Sequence, residues 1–125
     1  MAREYTKKEF LEYKQSVRNW MKKFGMASSW NIDFKQRTIG DGISGNTTYN
    51  TVSRNACFQL AEVQTGDYCL HDNMDELGLH EVLHLLLADL VWTTKEMKDD
   101  AHDLVIAKEH EVLLRLIPVL MGNVE

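Results

Sequence analysis

The sequence lacks several features that would assign it to a familiar class. It has no run of about 18 apolar residues, so we expect no membrane-spanning helix. Residues 1–10 are polar and charged, without the apolar segment of a secretory signal. The two cysteines, Cys57 and Cys69, fit no C-x-x-C site, and without a signal a disulfide is not expected. We therefore expect a cytoplasmic protein with free thiols.

Nucleotide-binding and repeat signatures are also missing. The glycine-rich stretch 39–46 has neither Walker spacing nor G-x-G-x-x-G, so it predicts a turn and not a phosphate site. No repeat, low-complexity tract or linker interrupts the 125 residues. This length suits a single domain spanning residues 1–125.

The net charge of −5 is unevenly distributed along the chain. Residues 1–25 sum to +4, residues 26–61 to +1 and residues 62–125 to −10. The basic segment suits a solvated helix surface that complements the acidic second half better than it suits a nucleic-acid interface. Nucleic acid is therefore not the partner that the charge favours.

The sequence does contain His80-Glu81-Val82-Leu83-His84, an H-E-x-x-H motif. Two histidines four residues apart lie on one face of a helix, so both imidazoles can bind one metal ion at about 2.0–2.1 Å. Glu81 projects beside that face, where it could take a proton from a water that the metal activates. The alternative is a buried helix with two accidental histidines, but burying such groups without partners is costly.

The spacing of apolar residues predicts the order helix, three strands, helix, helix. Thr6 and Glu9 form a capping box before a first helix whose apolar stripe ends at Gly25. The remaining elements are predicted as strands over 30–37, 47–52 and 56–63, a metal helix over 73–92, and a last helix from 95 or 99 to 119.

The expected fold class is α+β. Strands 47–52 and 56–63 are close enough in sequence to form an antiparallel hairpin within a small three-stranded antiparallel sheet. The first helix and the metal helix are expected to pack on one face of this sheet, and the last helix is expected to support the site.

A catalytic zinc ion usually has three protein ligands, so the sequence must supply one more, and the last helix carries the candidates. At 100° per residue, Glu109 falls at the centre of an apolar arc, whereas Glu111 points to solvent near Lys108 and Arg115. The arc comprises Val105, Val112, Leu113, Leu116, Ile117, Val119 and Leu120. A charged residue on a core face needs a partner, and the metal would supply it.

Glu109 is therefore the predicted third metal ligand. Two histidines of the same helix, His102 and His110, remain as alternatives. A salt bridge between Glu109 and a basic residue of the sheet is the explanation that needs no metal.

The segments H-E-V-L-H-L-L-L-A-D-L and E-H-E-V-L-L-R-L-I-P resemble the zincin metallopeptidases of the gluzincin type. The whole chain is similar to small metallopeptidase-like proteins of phages and prophages. The resemblance implies that His80, His84 and Glu109 bind Zn²⁺ and that Glu81 is the catalytic base. The extended metzincin motif is absent. Larger gluzincins use a tyrosine or histidine to stabilise the transition state, and the candidates here are Tyr68, His71 and His102.

The implied function is zinc-dependent hydrolysis of peptides or unfolded protein in the cytoplasm of a bacterial or phage-infected cell. The alternative is a zincin-like module that binds metal, has lost turnover and acts through protein–protein contacts. By the same resemblance, a peptide substrate is expected to add along strand 56–63 at the sheet edge nearest the metal. Asp75 or Asp103 is expected to orient a metal-binding histidine.

Overall fold

The computed structural model describes residues 3–40, 42–64, 73–95 and 101–122. In chain order its elements are β1 (Arg3–Glu4), α1 (Lys7–Lys23), β2 (Asn31–Arg37), β3 (Gly45–Asn50), β4 (Asn55–Ala61), β5 (Val63–Gln64), α2 (Met74–Leu86), α3 (Ala88–Lys95) and α4 (Ala101–Leu120). The predicted α+β class is confirmed. No helix within the described residues has the length and apolar character needed to cross a membrane.

Helix α1 begins and ends where the sequence predicts. The Thr6 hydroxyl accepts from the Glu9 amide at 3.0 Å, and the Glu9 carboxylate accepts from the Thr6 amide at 3.1 Å. These two bonds are the capping box, and they satisfy two amides that the helix itself leaves unpaired. Gly25 follows the helix at φ 71°, a conformation that favours glycine. The apolar stripe predicted for α1 is buried at Tyr13, Val17, Trp20 and Met21.

The three-stranded sheet has the order β2-β4-β3 and is mixed. Strands β3 and β4 form the predicted antiparallel hairpin, with Thr47 opposite Phe58. Strand β2 pairs parallel to β4, so the antiparallel prediction is wrong for β2. The reason is that the chain inserts β4 between β2 and β3, and alternation within a strand does not encode the direction of its neighbour. As the central strand, β4 buries both faces at its end, including Gln59 and Ala61.

Two boundaries also differ from those predicted. The third strand stops at Ala61, and a separate strand β5 pairs antiparallel with β1. The predicted metal helix 73–92 is divided at Leu87 into α2 and α3. Strands of two residues are too short for a periodic pattern, and the apolar run around Leu87 contains no glycine or proline to mark a break.

Helices α1 and α2 approach each other closely at Gly78. A Cβ atom at this position would lie 2.2 Å from the Ser16 hydroxyl oxygen and 2.7 Å from the Ser16 Cβ. The Ser16 hydroxyl donates to Asp75 Oδ1 at 2.9 Å, and the Trp20 indole donates to the same oxygen at 2.9 Å. These bonds fix the Ser16 side chain at the point of contact, so it cannot simply rotate away.

Replacing Gly78 with alanine should lower the free energy of unfolding by about 1–3 kcal/mol, the usual cost of overpacking. The cost should outweigh the gain of about 1 kcal/mol in helix propensity that alanine brings. Urea unfolding followed by circular dichroism measures the difference. In a Ser16→Gly background, where both clashing atoms are gone, Gly78→Ala should become close to neutral. Equal costs in the two backgrounds would show that this pair does not limit the approach of the helices.

Candidate metal centre

Helix α2 carries the H-E-x-x-H residues and is anchored at its start by Asn73, whose side chain accepts from the Glu76 amide at 2.8 Å. His80 and His84 lie one turn apart on α2. Their Nε2 atoms are 3.1 Å apart. Two nitrogen ligands of a tetrahedral zinc ion lie about 3.3 Å apart, given metal–nitrogen distances of about 2.0–2.1 Å. The two imidazoles are therefore spaced to share one ion.

Glu109 of α4 contacts the opposite side of the His84 ring, at Nδ1. Its carboxylate accepts a hydrogen bond from that nitrogen, and its side chain is only 8% exposed. The core-facing position predicted for Glu109 therefore agrees with the structure. A histidine that binds metal through one ring nitrogen commonly donates its other ring N–H to a carboxylate. Glu109 has the position of such an orienting carboxylate on His84.

His110 completes a group of three histidines. Donor atoms of His80, His84 and His110 all lie within 4.8 Å of one another, and these residues are the metal-competent group found within the described residues. The ring centroid of His110 is 5.3 Å from that of His80 and 6.1 Å from that of His84. The structure thus brings His110 to the two motif histidines, while Glu109 contacts one of them. The role of Glu109 as third ligand stays a prediction.

The buried face of α4 differs in part from the predicted apolar arc. Leu113 and Ile117 are buried as predicted, one and two turns beyond Glu109. Four other members of the arc are exposed: Val112, Leu116, Val119 and Leu120. Helix α4 packs against α2 and α3, and its buried stripe is narrower than the predicted arc. Glu111 is on the solvent side, as predicted, and its carboxylate accepts from Lys108 at 3.2 Å and Arg115 at 3.1 Å.

Glu81 is buried, with 5% of its surface exposed. Its Oε1 atom accepts a hydrogen bond of 2.7 Å from the hydroxyl of Thr47 on β3. Burial raises the pKa of the Glu81 carboxyl, and this effect outweighs the lowering by the His84 charge and the Thr47 hydrogen bond. Burial lowers the pKa of His84, but its hydrogen bond to Glu109 and the nearby carboxylates raise it overall. A carboxyl with a raised pKa beside a metal-binding group is typical of an active site.

These groups line one cavity of about 620 Å³, within the range of small-molecule sites. Its wall on the sheet side is residues 42–47 and Tyr49, which belong to β3 and the turn before it. The predicted substrate edge, strand 56–63, is wrong, because β4 is the central strand and is paired on both sides. Within the described residues, the strand beside the cavity with an outer edge is β3.

The other candidates named from the sequence lie elsewhere. Asp75 accepts hydrogen bonds from Ser16 and Trp20 of α1, and its role in orienting a motif histidine stays a prediction. Asp103 is exposed, and His102 is not a member of the three-histidine group. Tyr68 and His71 lie outside the described residues. Two cavity residues, Thr47 and Tyr49, were not singled out from the sequence, because the alternation of a β-prone segment does not reveal which helix will cover it.

No protein-family model, curated protein or solved structure matches this chain. The likeness to zincin metallopeptidases therefore rests on the H-E-x-x-H residues and the segments around them.

Proposed function

We propose that this chain is a zinc-dependent peptidase. The observation that carries the proposal is the convergence of three histidines and the Glu81 carboxylate on one cavity. A buried carboxylate beside metal-competent imidazoles is the combination that metal-assisted hydrolysis requires.

The donor set fits zinc in its chemistry. Imidazole nitrogens are favoured ligands of Zn²⁺, and three protein ligands leave a position for water or substrate. We propose His80, His84 and His110 as these ligands, with Glu109 fixing the ring orientation and tautomer of His84. The 3.1 Å separation of the first two nitrogens supports this assignment.

Glu81 supplies the acid–base chemistry. When bound, the zinc ion lowers the pKa of water and polarises the carbonyl of the peptide bond. The Glu81 carboxylate takes a proton from the attacking water and delivers it to the nitrogen of the leaving amine. Because one oxygen of Glu81 is held by Thr47, the other oxygen, Oε2, is the atom that carries this proton.

The cavity suits an extended peptide. Residues 42–47 provide main-chain groups along one wall, where a substrate strand can add by backbone hydrogen bonds. Apolar contacts for substrate side chains come from Ile43, Leu77, Val91 and Ile106.

The proposal is tested by metal content and hydrolysis in the same sample. Purified protein should contain one zinc ion per chain and should hydrolyse fluorescently labelled, unfolded casein. A chelator should remove both properties, and added zinc should restore them. Zinc should also raise the midpoint of thermal unfolding, because a ligand that binds only the folded state stabilises it.

The results of this experiment distinguish an active peptidase from a metal-binding module without turnover and from a protein without a metal centre. Bound zinc without hydrolysis, under conditions where the folded state is intact, would support the metal-binding module that has lost turnover. Failure to bind zinc, cobalt or manganese would contradict a metal centre and would leave the three histidines as a cluster beside the cavity.

A further inference from the structure

The hydroxyl of Thr47 forms a close contact with the buried carboxylate of α2. Thr47 Oγ1 donates to Glu81 Oε1 at 2.7 Å and lies 3.3 Å from the main-chain oxygen of the same residue. The two residues are 34 positions apart in the sequence, and their bond joins β3 of the sheet to α2. A hydroxyl has one proton to donate, and the shorter distance and the charge of the carboxylate favour the Oε1 bond.

We propose that Thr47 is a positioning residue, which holds the Glu81 carboxylate in the orientation needed for proton transfer. This inference rests on the proposed peptidase function. Strand β3 would then do more than form one wall of the cavity. Its residue Thr47 would border the substrate and would also hold Glu81, the proposed base.

Strand pairing and packing hold the backbone of Thr47 in place. It lies opposite Phe58 in the β3–β4 ladder, and Phe58 is fully buried in the core. Helix α2 also contacts β3. A donor fixed on a paired strand constrains the carboxylate torsions more closely than a surface donor would, and catalytic groups lose rate when their orientation varies.

The chain contains a matched control in the next residue. Thr48 follows Thr47 on β3, but its side chain points to the opposite face and is exposed. It is not among the residues that line the cavity. Replacing either threonine by valine removes a hydroxyl and retains the branched shape, so the two variants differ in the contact with Glu81.

The first experiment compares casein hydrolysis by Thr47→Val, Thr47→Ser and Thr48→Val in zinc-loaded protein. Thr47→Val should lower kcat about 10-fold or more, a part of the 10²–10⁴-fold that general base catalysis contributes. KM and zinc affinity should stay within about twofold of the parent, since the interaction acts on the base and not on binding. Thr47→Ser should recover most of kcat, and Thr48→Val should match the parent.

A second measurement needs neither zinc nor turnover. In metal-free protein, Thr47→Val should lower the midpoint of thermal unfolding by about 4 °C, since it leaves a buried carboxylate without this donor. In a Glu81→Ala background the same change should have little effect. Thr48→Val should show no such dependence on Glu81.

The outcomes distinguish this inference from the proposed function. If the parent hydrolyses casein and Thr47→Val does so equally fast, the positioning role is wrong and the peptidase function stands. A loss of zinc affinity in Thr47→Val, or no recovery with Thr47→Ser, would also overturn it. If the parent shows no hydrolysis, the proposed function fails and the positioning role fails with it.

Discussion

Glu81→Gln is expected to abolish hydrolysis and to leave zinc bound. Glutamine keeps the size of the side chain and can still accept the Thr47 hydrogen bond, but it cannot take a proton from water. Loss of a general base typically costs about 10²–10⁴-fold in rate. Steady-state hydrolysis of labelled casein gives the rate, and competition with a chelating dye gives the zinc affinity of the same sample.

Two further variants distinguish loss of the base from a general effect of the substitution and from loss of the metal. Glu76→Gln makes the same chemical change on α2, five residues earlier, and should retain hydrolysis. His80→Ala should lose both zinc and hydrolysis, because it removes a ligand rather than the base. Hydrolysis by Glu81→Gln at the parental rate would show that Glu81 is not the base.

The second large effect is expected on zinc affinity when His110, the proposed third ligand, is replaced. His110→Ala should weaken zinc binding on the order of 100–1000-fold, its share of a total binding free energy of about 10–16 kcal/mol. Glu109→Gln should weaken it only about 10-fold, as the loss of an orienting carboxylate does. The two residues are adjacent on α4. A dye-competition titration of both variants compares the zinc affinity lost with a ligand with that lost with an orienting carboxylate.

Glu111→Gln is the control for this comparison. Its carboxylate is on the solvent side, paired with Lys108 and Arg115, and its change should alter stability by no more than about 0.5 kcal/mol. It should leave zinc affinity unchanged. If Glu109→Gln has the larger effect and His110→Ala has almost none, Glu109 is the ligand, as the sequence predicts.

The parts of the fold that could be predicted from the sequence depend on local patterns. The capping box at Thr6 and the buried stripe of α1 arise within one helix, and both were predicted correctly. The hairpin of β3 and β4 follows from their proximity in sequence. The parallel pairing of β2 could not be predicted, because it depends on which strand is inserted at the centre of the sheet.

The same distinction applies to the site. The spacing of His80 and His84 and the core-facing position of Glu109 follow from helical periodicity. Whether Glu109 or its neighbour His110 approaches the motif histidines depends on the crossing of α2 and α4, which no single helix encodes. The Thr47 bond to Glu81 depends on the packing of a strand against a helix, so it could not be predicted from the sequence either.

The hydrogen bonds from α1 to Asp75 have a consequence for how the site assembles during folding. Ser16 and Trp20 are 59 and 55 residues from Asp75 in the sequence, whereas His80 and His84 are neighbours on one helical turn. Local helix formation is fast, but contacts across such separations must first overcome the entropy of closing a long loop. We therefore expect the pair of motif histidines to form early in folding, and the docking of α2 against α1 to follow later.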